Sequence, residues 1–430
     1  MKAFSKQTAF VFSGKMVGAA LGFAMSLIVA RWMGPAEFGL FSLFIMVLIL
    51  GNDFLGDGLN PGVVRYYAMY RESDSGKAAK VLTNALVLRL LLGVPLVLIG
   101  VPAAIELTRT VLPGTGNDSP IVLGLIGSLG AALWTFHLSA WQAREEFHWY
   151  AVMVTLVNLL RVLSIPVLLF FTGQLTLTAI MAVHVAIYFI CAGAGFRLLC
   201  RHFAPFQIDG ALLRELFRFS RWPAIASLCF LLQVNLGVPV LNYTANAREA
   251  GLYAAGSALL MAIDFLTVSL LTTLLPRVSR LTDLSQCRSY VRRSLPIYLG
   301  IAAALAPLLF LARPIVLTLF GPAYEETIVV FQVLFCGVLA TLVTHPLYLV
   351  FYTMNRPELY TFSGVTALVG WITVGYWLIP AYGAIGAAWT TLFGRLVQSM
   401  IILILLWMAL DSRPSAVFAG RSMMTDSEAS

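Results

Sequence analysis

Seven charged side chains lie inside long apolar stretches of this sequence, where an uncompensated charge is costly and marks a candidate functional site. They are four cations and three acids: Lys15, Arg89, Arg161, Arg395, Asp53, Asp57 and Asp264. Arginine carries a rigid fork of donors that fits phosphate or carboxylate oxygens, so the cations are candidates for holding an anionic group away from water. The acids are candidates for a proton or cation site, because Asp53 and Asp57 are four residues apart and share one helix face. The alternative for all seven is a set of internal ion pairs.

Runs of roughly 20 apolar residues must position these side chains. The chain has 430 residues, of which 60% are hydrophobic and 11% charged, whereas about a quarter of a soluble domain is charged. A helix of about 20 residues crosses the hydrocarbon core of a bilayer. The predicted fold class is therefore all-α, a polytopic membrane protein. The first run is too long for a secretory signal and is expected to remain as the first span.

Twelve spans are predicted, which places both termini on one side of the membrane. Their ranges are about 8–30, 38–60, 81–102, 120–141, 151–171, 177–196, 222–242, 251–275, 294–312, 327–351, 359–380 and 385–408. Twenty of the 28 Lys and Arg residues fall on the side of the termini and four on the other. Because Lys and Arg are enriched in cytoplasmic loops, both termini are predicted to be cytoplasmic. The net charge of +8 reflects this bias rather than a nucleic-acid surface.

One motif occurs twice, at an offset of 212 residues. EFGLFS (37–42) aligns with EAGLYA (249–254), and an arginine follows 28 residues after each glutamate. A Gly-Pro step beside the first copy breaks the helix and forms the outer turn between spans 1 and 2. The repeat-motif residues are Gly34, Pro35, Glu37, Gly39, Arg65, Glu249, Gly251 and Arg277. Since the offset carries spans 1 and 2 onto spans 7 and 8, two six-helix parallel lobes are predicted, an arrangement typical of transporters.

The predicted domains follow from this repeat. The N-lobe covers 1–197 and the C-lobe 222–410, and a cytoplasmic amphipathic linker, 198–221, is expected to lie on anionic lipid. The polar tail, 411–430, is expected to be disordered. Small residues spaced by four on span 1 permit close helix contact. These residues and a breaker in span 7 are the candidate hinges, with ordinary helix packing as the alternative: Gly14, Gly18, Gly22, Gly237 and Pro239.

Five stretches carry a family resemblance: ARWMGPAEFGLFSL (30–43), LGDGLNPGVVRYYA (55–68), REAGLYAAGSAL (248–259), LFGPAYEETIVVFQVL (319–334) and IPAYGAIGAAWTTL (379–392). Together they resemble the polysaccharide transporter branch of the superfamily that also holds multidrug and toxin extruders and the lipid II flippase. The resemblance implies two lobes around a central cavity. It also implies movement of a lipid-linked oligosaccharide, on undecaprenyl diphosphate, from the cytoplasmic to the outer leaflet by alternating access.

The same resemblance implies a setting and partners. The setting is the inner membrane of a bacterium that makes O-antigen, other lipopolysaccharide or exopolysaccharide. The expected partners are the lipid-linked substrate, membrane lipids and the glycan polymerase and glycosyltransferases of the pathway, with the chain itself a monomer. No nucleic acid and no cofactor are expected. Asn235 stands in span 7 where relatives often carry an acid, which leaves ion coupling at that position open.

A diphosphate headgroup would make the four cations its binding residues. Arg161 and Arg395 lie about ten residues into their spans, roughly 15 Å deep. Lys15 and Arg89 lie nearer the cytoplasmic ends, where they either snorkel or line a cytoplasm-facing cavity. The acids at 53, 57 and 264 are then the candidates for ion coupling.

Two other functions are open to this sequence. A multidrug or cation exporter of the same fold would prefer acids and aromatic residues without opposing arginines, and four cations against three acids favour an anionic substrate. A membrane enzyme would need a catalytic constellation in an aqueous loop, but the longest outer loop, 103–119, carries only Glu106, Arg109 and Asp118. The chain is therefore predicted not to be an enzyme. The five cysteines form no CxxC and the five histidines no HExxH, so no metal site is expected.

Overall fold

The computed structural model describes residues 2–57, 59–71, 74–111, 118–200, 207–278, 283–354 and 358–411, and these segments are mostly helical. The tail from 412 onward and the side chains of Asp57, Asp264 and Arg277 lie outside the described residues. The all-α fold class is confirmed. The physical reason is that helices satisfy their backbone polar groups internally, which hydrocarbon demands of any segment that crosses it.

The helices of the described residues follow in chain order. The first set is α1 (Lys2–Asn52), a π-helical turn (Asp53–Asp57), α2 (Asn60–Arg71), α3 (Ser75–Val111), α4 (Ser119–Ala143), α5 (Phe147–Thr172) and α6 (Leu177–Leu199). The second set is α7 (Gly210–Asn235), α8 (Gly237–Thr244), α9 (Ala247–Val278), α10 (Leu284–Leu305), a 3-10 turn (Ala306–Leu309), α11 (Ala312–Leu319), a 3-10 turn (Pro322–Tyr324), α12 (Thr327–Thr353) and α13 (Glu358–Asp411).

Two glycines divide the longest helices. Gly34 has a φ of 79° inside α1, and Gly383 has a φ of 55° inside α13, so each helix consists of two helices that meet at a kink. Glycine adopts these left-handed conformations without the strain that a Cβ would add. The kinks separate predicted spans 1 from 2 and 11 from 12. The turn predicted at Gly34-Pro35 is confirmed, and its position on the outer side stays a prediction.

The twelve-helix count agrees with the described part of the chain. Seven helices there are long and apolar enough to cross a membrane, or eight when α10 and α11 are joined as one span bent by 63°. Two of the seven, the stretches 13–71 and 358–410, each contain two predicted spans. Predicted span 7 is interrupted: α7 ends at Asn235 and α8 begins at Gly237, close to the breaker that the sequence places at Gly237 and Pro239.

The chain divides into two compact units, Met1–Gly251 and Leu252–Ser430. The division falls later than the predicted boundary in the linker, because α8 and the start of α9 pack on α1 within the first unit. The Asn242 amide, for example, donates to the Gly39 carbonyl across 3.5 Å. In the second unit, α10, α12 and α13 share an apolar core that includes Cys287, Leu347, Phe351 and Ile402.

The amphipathic linker is bound to protein. Leu212 and Leu216 of α7 are 3% and 2% exposed and lie in one core with residues of α2, α3 and α4. Asn84 of α3 holds the linker backbone: its Oδ1 accepts from the Asp209 amide at 3.0 Å and its Nδ2 donates to the Gln207 carbonyl at 3.3 Å. Protein therefore covers Leu212 and Leu216 of this apolar face, and the expectation that the linker lies on anionic lipid stays a prediction. The amphipathic pattern identifies the apolar face but not what covers it.

Candidate functional site

Arg161 is a half-buried cation near the middle of α5. Its Nη1 donates to Asn158 Oδ1 at 3.3 Å, and its guanidinium carbon lies 4.1 Å from the centre of the Tyr188 ring on α6. Its Nε and Nη2 atoms are buried and have no hydrogen-bond partner in the described part of the chain, and none of the ion pairs found there involves it. Two donors of a charged fork thus have no hydrogen-bond acceptor among the described residues.

Tyr188 and Asn158 fix the orientation of this guanidinium. A ring face beneath the cation attracts it electrostatically and holds its plane. Tyr188 is itself buried and lies 5.7 Å, between ring centres, from Trp134 of α4. Asn158 precedes Arg161 by three residues, a spacing that brings two side chains onto one helix face. The sequence pattern could have identified Asn158, whereas it carries no signal that places Tyr188 of another helix beside Arg161.

The glycine stripe of α1 packs against α5 beside this site. A Cβ added at Gly14 would lie 2.8 Å from Cα of Ala151, and one at Gly18 would lie 2.9 Å from Val154 Cγ1. A Cβ at Gly22 would lie 3.7 Å from Asn158 Oδ1. The close helix contact predicted from the stripe is confirmed, while its role as a hinge stays a prediction.

Lys15 lies on α1 between the first two glycines of this stripe. Its side chain is exposed, with Nζ 6.0 Å from the centre of the Tyr150 ring near the start of α5. Arg161 is eleven residues further along α5, or roughly 16 Å at the rise of a helix. The α1–α5 pair therefore carries an exposed cation, Lys15, near the start of α5 and a half-buried cation, Arg161, near the middle of α5.

Arg89 has other partners. It is fully buried on α3, and its guanidinium donates to the Ala85 carbonyl at 3.1 Å, the Gly56 carbonyl at 3.3 Å and Asn60 Oδ1 at 2.6 Å. Its guanidinium carbon also lies 5.0 Å from the centre of the Phe136 ring. Gly56 belongs to the π-helical turn and Asn60 begins α2, so Arg89 ties together the break between α1 and α2.

Arg395 belongs to the second unit. Its half-buried side chain crosses α12 at Gly337, where an added Cβ would lie 2.9 Å from Arg395 Cδ. Only a residue without a side chain leaves room for the arginine there. The space that Gly337 leaves for the Arg395 side chain could not be predicted from the sequence around Arg395.

Of the three acids, only Asp53 has a described side chain. It is buried at the start of the π-helical turn, next to Asn52, whose Oδ1 accepts a hydrogen bond from Thr135 at 3.2 Å. Among the described residues, no group of three or more His, Cys, Asp or Glu side chains could hold a metal ion. An ion-coupling role for the acids stays a prediction.

The two copies of the repeat motif meet in the first unit. A Cβ added at Gly39 would overlap the Ala247 carbonyl oxygen and lie 2.8 Å from the Gly251 nitrogen. A Cβ added at Gly251 would overlap the Pro35 carbonyl oxygen and lie 3.0 Å from the Gly39 nitrogen. The equivalent glycines therefore allow α1 and α9 to pack backbone against backbone, which neither copy of the motif reveals alone.

Comparisons with known proteins agree with this architecture. A sequence profile of the family described as "Polysaccharide biosynthesis protein" matches residues 4–282. The chain is 24% identical over 404 residues to a protein named lipid III flippase from Escherichia coli (strain K12), covering 90% of this chain and 94% of that protein. The same identity and coverage hold for the protein of that name from Shigella flexneri.

Two solved structures share the fold. One is described as the lipid II flippase MurJ in an inward closed conformation, with a TM-score of 0.76, 13% identity, and coverage of 93% of this chain and 89% of that one. The other is a MATE-family multidrug resistance transporter in an inward-facing conformation, with a TM-score of 0.72, 15% identity, and coverage of 91% and 94%. At these identities the likeness concerns the fold alone. With the apolar helices, the relatives indicate a multi-pass membrane protein.

Proposed function

The chain belongs to the polysaccharide biosynthesis protein family, and from this membership we propose that it is a flippase for a lipid-linked oligosaccharide. The substrate is carried on undecaprenyl diphosphate and moves from the cytoplasmic to the outer leaflet by alternating access, for O-antigen or exopolysaccharide synthesis. The relative named lipid III flippase, which matches nearly the whole chain, supports a lipid-linked substrate.

Arg161 is the observation that carries this proposal. An arginine near the centre of a membrane helix costs about 2.5–3.5 kcal/mol to insert. Here that cost is not offset by an ion pair in the described part of the chain, and two of its donors are unused. A diphosphate supplies the missing charge and accepts both donors at once, in a medium where the attraction is stronger than in water.

The other cations give the headgroup a route. Lys15, exposed on α1, would meet the diphosphate first, and Arg161 would receive it deeper along the α1–α5 pair. Arg395 would serve the second unit in the same way. Arg89 is left out of the proposed headgroup site, because its Nη2 donates to Gly56 and Asn60 at the break between α1 and α2. The glycines of α1 would let the helix bend as the site changes its exposure.

Transport of a fluorescent undecaprenyl-diphosphate-linked oligosaccharide in proteoliposomes tests this function. Wild type is compared with Arg161→Ala, which removes the charge, and Arg161→Lys, which keeps the charge but loses the fork. We expect Arg161→Ala to slow flipping about tenfold or more, the usual cost of losing hydrogen bonds to a charged group. Arg161→Lys is expected to fall between the two.

Arg313→Ala is the matched control, because the Arg313 side chain is 69% exposed and, among the described residues, forms an ion pair with the exposed Glu325 alone, at 3.1 Å. It is expected to flip the lipid at the wild-type rate. If the wild-type protein does not flip the lipid but exports an organic cation such as ethidium, the proposed function is wrong and the protein is a drug exporter. Equal flipping rates of wild type and Arg161→Ala would show that Arg161 does not bind the headgroup.

A further inference from the structure

A pocket lies in the first unit, at the end predicted to face outward. It occupies about 770 Å³ between the kink that divides α1 and the turn that joins α5 to α6. Its lining includes Trp32, Glu37, Leu169, Gln174, Thr176 and Thr178. We call it the outer pocket. None of its lining residues takes part in the Arg161 site.

The outer pocket presents an aromatic face and unengaged polar groups. The Trp32 side chain is 60% exposed. In the described part of the chain, no hydrogen bond or ion pair uses the Glu37 carboxylate or the side-chain amide of Gln174. The repeat offers a contrast, because the equivalent Glu249 forms an ion pair with Arg248 at 3.8 Å. The carboxylate at position 37 is thus available to a ligand.

The turn that carries Gln174 is held in place by its own hydrogen bonds. Gly173 ends α5 with a φ of 67°, and its amide donates to the Leu169 carbonyl at 3.0 Å. The Thr172 hydroxyl bonds to the Gln174 carbonyl at 2.5 Å. Thr176 caps α6 by accepting from the Ala179 amide at 3.3 Å, which leaves its hydroxyl proton to donate elsewhere. The polar groups therefore stand on a fixed backbone.

We propose that the outer pocket binds the sugar part of the transported lipid-linked glycan after it reaches the outer leaflet. A pyranose has an apolar C–H face that fits an indole ring, and a rim of hydroxyls that both donate and accept. The carboxylate accepts from such hydroxyls, and the amide and threonine hydroxyls can donate to them or accept from them. An apolar concave wall with a few orienting polar groups is the usual composition of a small-molecule site.

The charge of the lining defines the ligand further. Among the described residues that line it, Glu37 is the one acid and none is Lys or Arg. A diphosphate would meet repulsion here, so the pocket does not duplicate the headgroup site. Neutral or amino sugars fit the carboxylate, and uronic acids do not. This inference rests on the proposed function, since it takes the ligand to be the glycan of the flipped lipid.

Binding of defined soluble oligosaccharides to the full-length protein in detergent tests the pocket. The probes are maltotetraose, chitotetraose and tetragalacturonate, followed by saturation-transfer NMR and titration. The variants are Trp32→Ala, Trp32→Phe, which keeps an aromatic face, and Glu37→Gln. Trp377→Ala is the matched control, because Trp377 is a similarly exposed tryptophan, 73% exposed, on α13 and away from the lining of the outer pocket.

A neutral oligosaccharide is expected to bind wild type and Trp377→Ala equally. Trp32→Ala should weaken this binding about tenfold, as loss of an aromatic stacking platform commonly does. Trp32→Phe should retain most of the affinity. Glu37→Gln should weaken neutral sugars about fivefold through loss of a charged acceptor, yet allow tetragalacturonate to bind. The inference fails if no neutral probe binds wild type, or if Trp32→Ala binds as well as Trp377→Ala.

The flipping assay on the same preparation separates the two proposals. A wild-type protein that flips the lipid but binds none of the neutral probes overturns the outer pocket and leaves the flippase intact. A protein that binds a neutral probe through Trp32 but does not flip the lipid retains the sugar site and overturns the flippase.

Discussion

Replacing Gly39 with alanine should force apart the contact between α1 and the start of α9. The added methyl group would overlap the Ala247 carbonyl oxygen and come within 2.8 Å of its carbon. Ordinary contacts between carbon atoms are about 3.5–4.0 Å. The obstructing atoms are backbone, so no side chain can rotate away, and the strain must be relieved by separating the two helices.

The magnitude follows from two opposing effects. Alanine in a helix gains roughly 0.5–1 kcal/mol over glycine. Overpacking a tight contact costs typically 1–3 kcal/mol, and a backbone obstacle favours the upper value. Gly39→Ala should therefore be destabilised by about 2 kcal/mol. Gly193→Ala is the matched control, because Gly193 is also inside a helix but has no heavy atom within 4 Å of an added Cβ. It should be neutral or slightly stabilised.

Two measurements follow the contact. Unfolding of purified Gly39→Ala and Gly193→Ala, compared with wild type, reports the stability difference. Labelling of Ala247→Cys with a membrane-impermeant maleimide, after replacing the five native cysteines, reports opening. A shift of about 2 kcal/mol changes an opening equilibrium about 30-fold. Labelling should therefore accelerate with Gly39→Ala and stay unchanged with Gly193→Ala.

A double substitution sharpens the test. Gly251→Ala disrupts the same contact from the α9 side, where the added Cβ would overlap the Pro35 carbonyl oxygen. Once either methyl group has opened the contact, the second should cost little, so the two effects should be strongly non-additive. The packing argument would be refuted if Gly39→Ala matched Gly193→Ala in stability and labelled at the wild-type rate.

Three further outcomes are expected. Arg89→Met should destabilise the protein by about 1–3 kcal/mol for each buried acceptor that it leaves unpaired. The flipping rate per folded molecule should stay the same. Unfolding and transport are measured on one preparation. Loss of flipping at unchanged stability would instead indicate that Arg89 binds the headgroup. Asn84→Ala should lower the free energy of unfolding by about 1–3 kcal/mol, because the linker backbone loses both of its hydrogen bonds to Asn84. Proteolysis near Asp209 should then be faster. An unaltered digestion rate would contradict this. Gly337→Ala should displace the Arg395 side chain and slow flipping, whereas Gly300→Ala, with open space around its Cβ, should not.

The sequence alone determined the properties that depend on local chemistry. Hydrocarbon excludes water, so apolar runs of about 20 residues predicted helices that satisfy their own backbone polar groups, and the all-α class followed. The kink at Gly34 was equally local, because the Gly-Pro step ends a helix wherever it occurs. The repeat motif was visible from its spacing.

The tertiary structure decided which of the buried cations is available. In sequence, Arg89 and Arg161 are both arginines in apolar runs, and they differ only in their predicted depth. Arg89 is bonded to Gly56 and Asn60, which lie about thirty residues away on another element, whereas Arg161 faces the Tyr188 ring with two donors unused. The same limit applied to the linker, whose apolar face is covered by protein at Leu212 and Leu216. A side chain's partners come from helices distant in the chain, so their identity depends on packing, which periodicity and hydropathy do not encode.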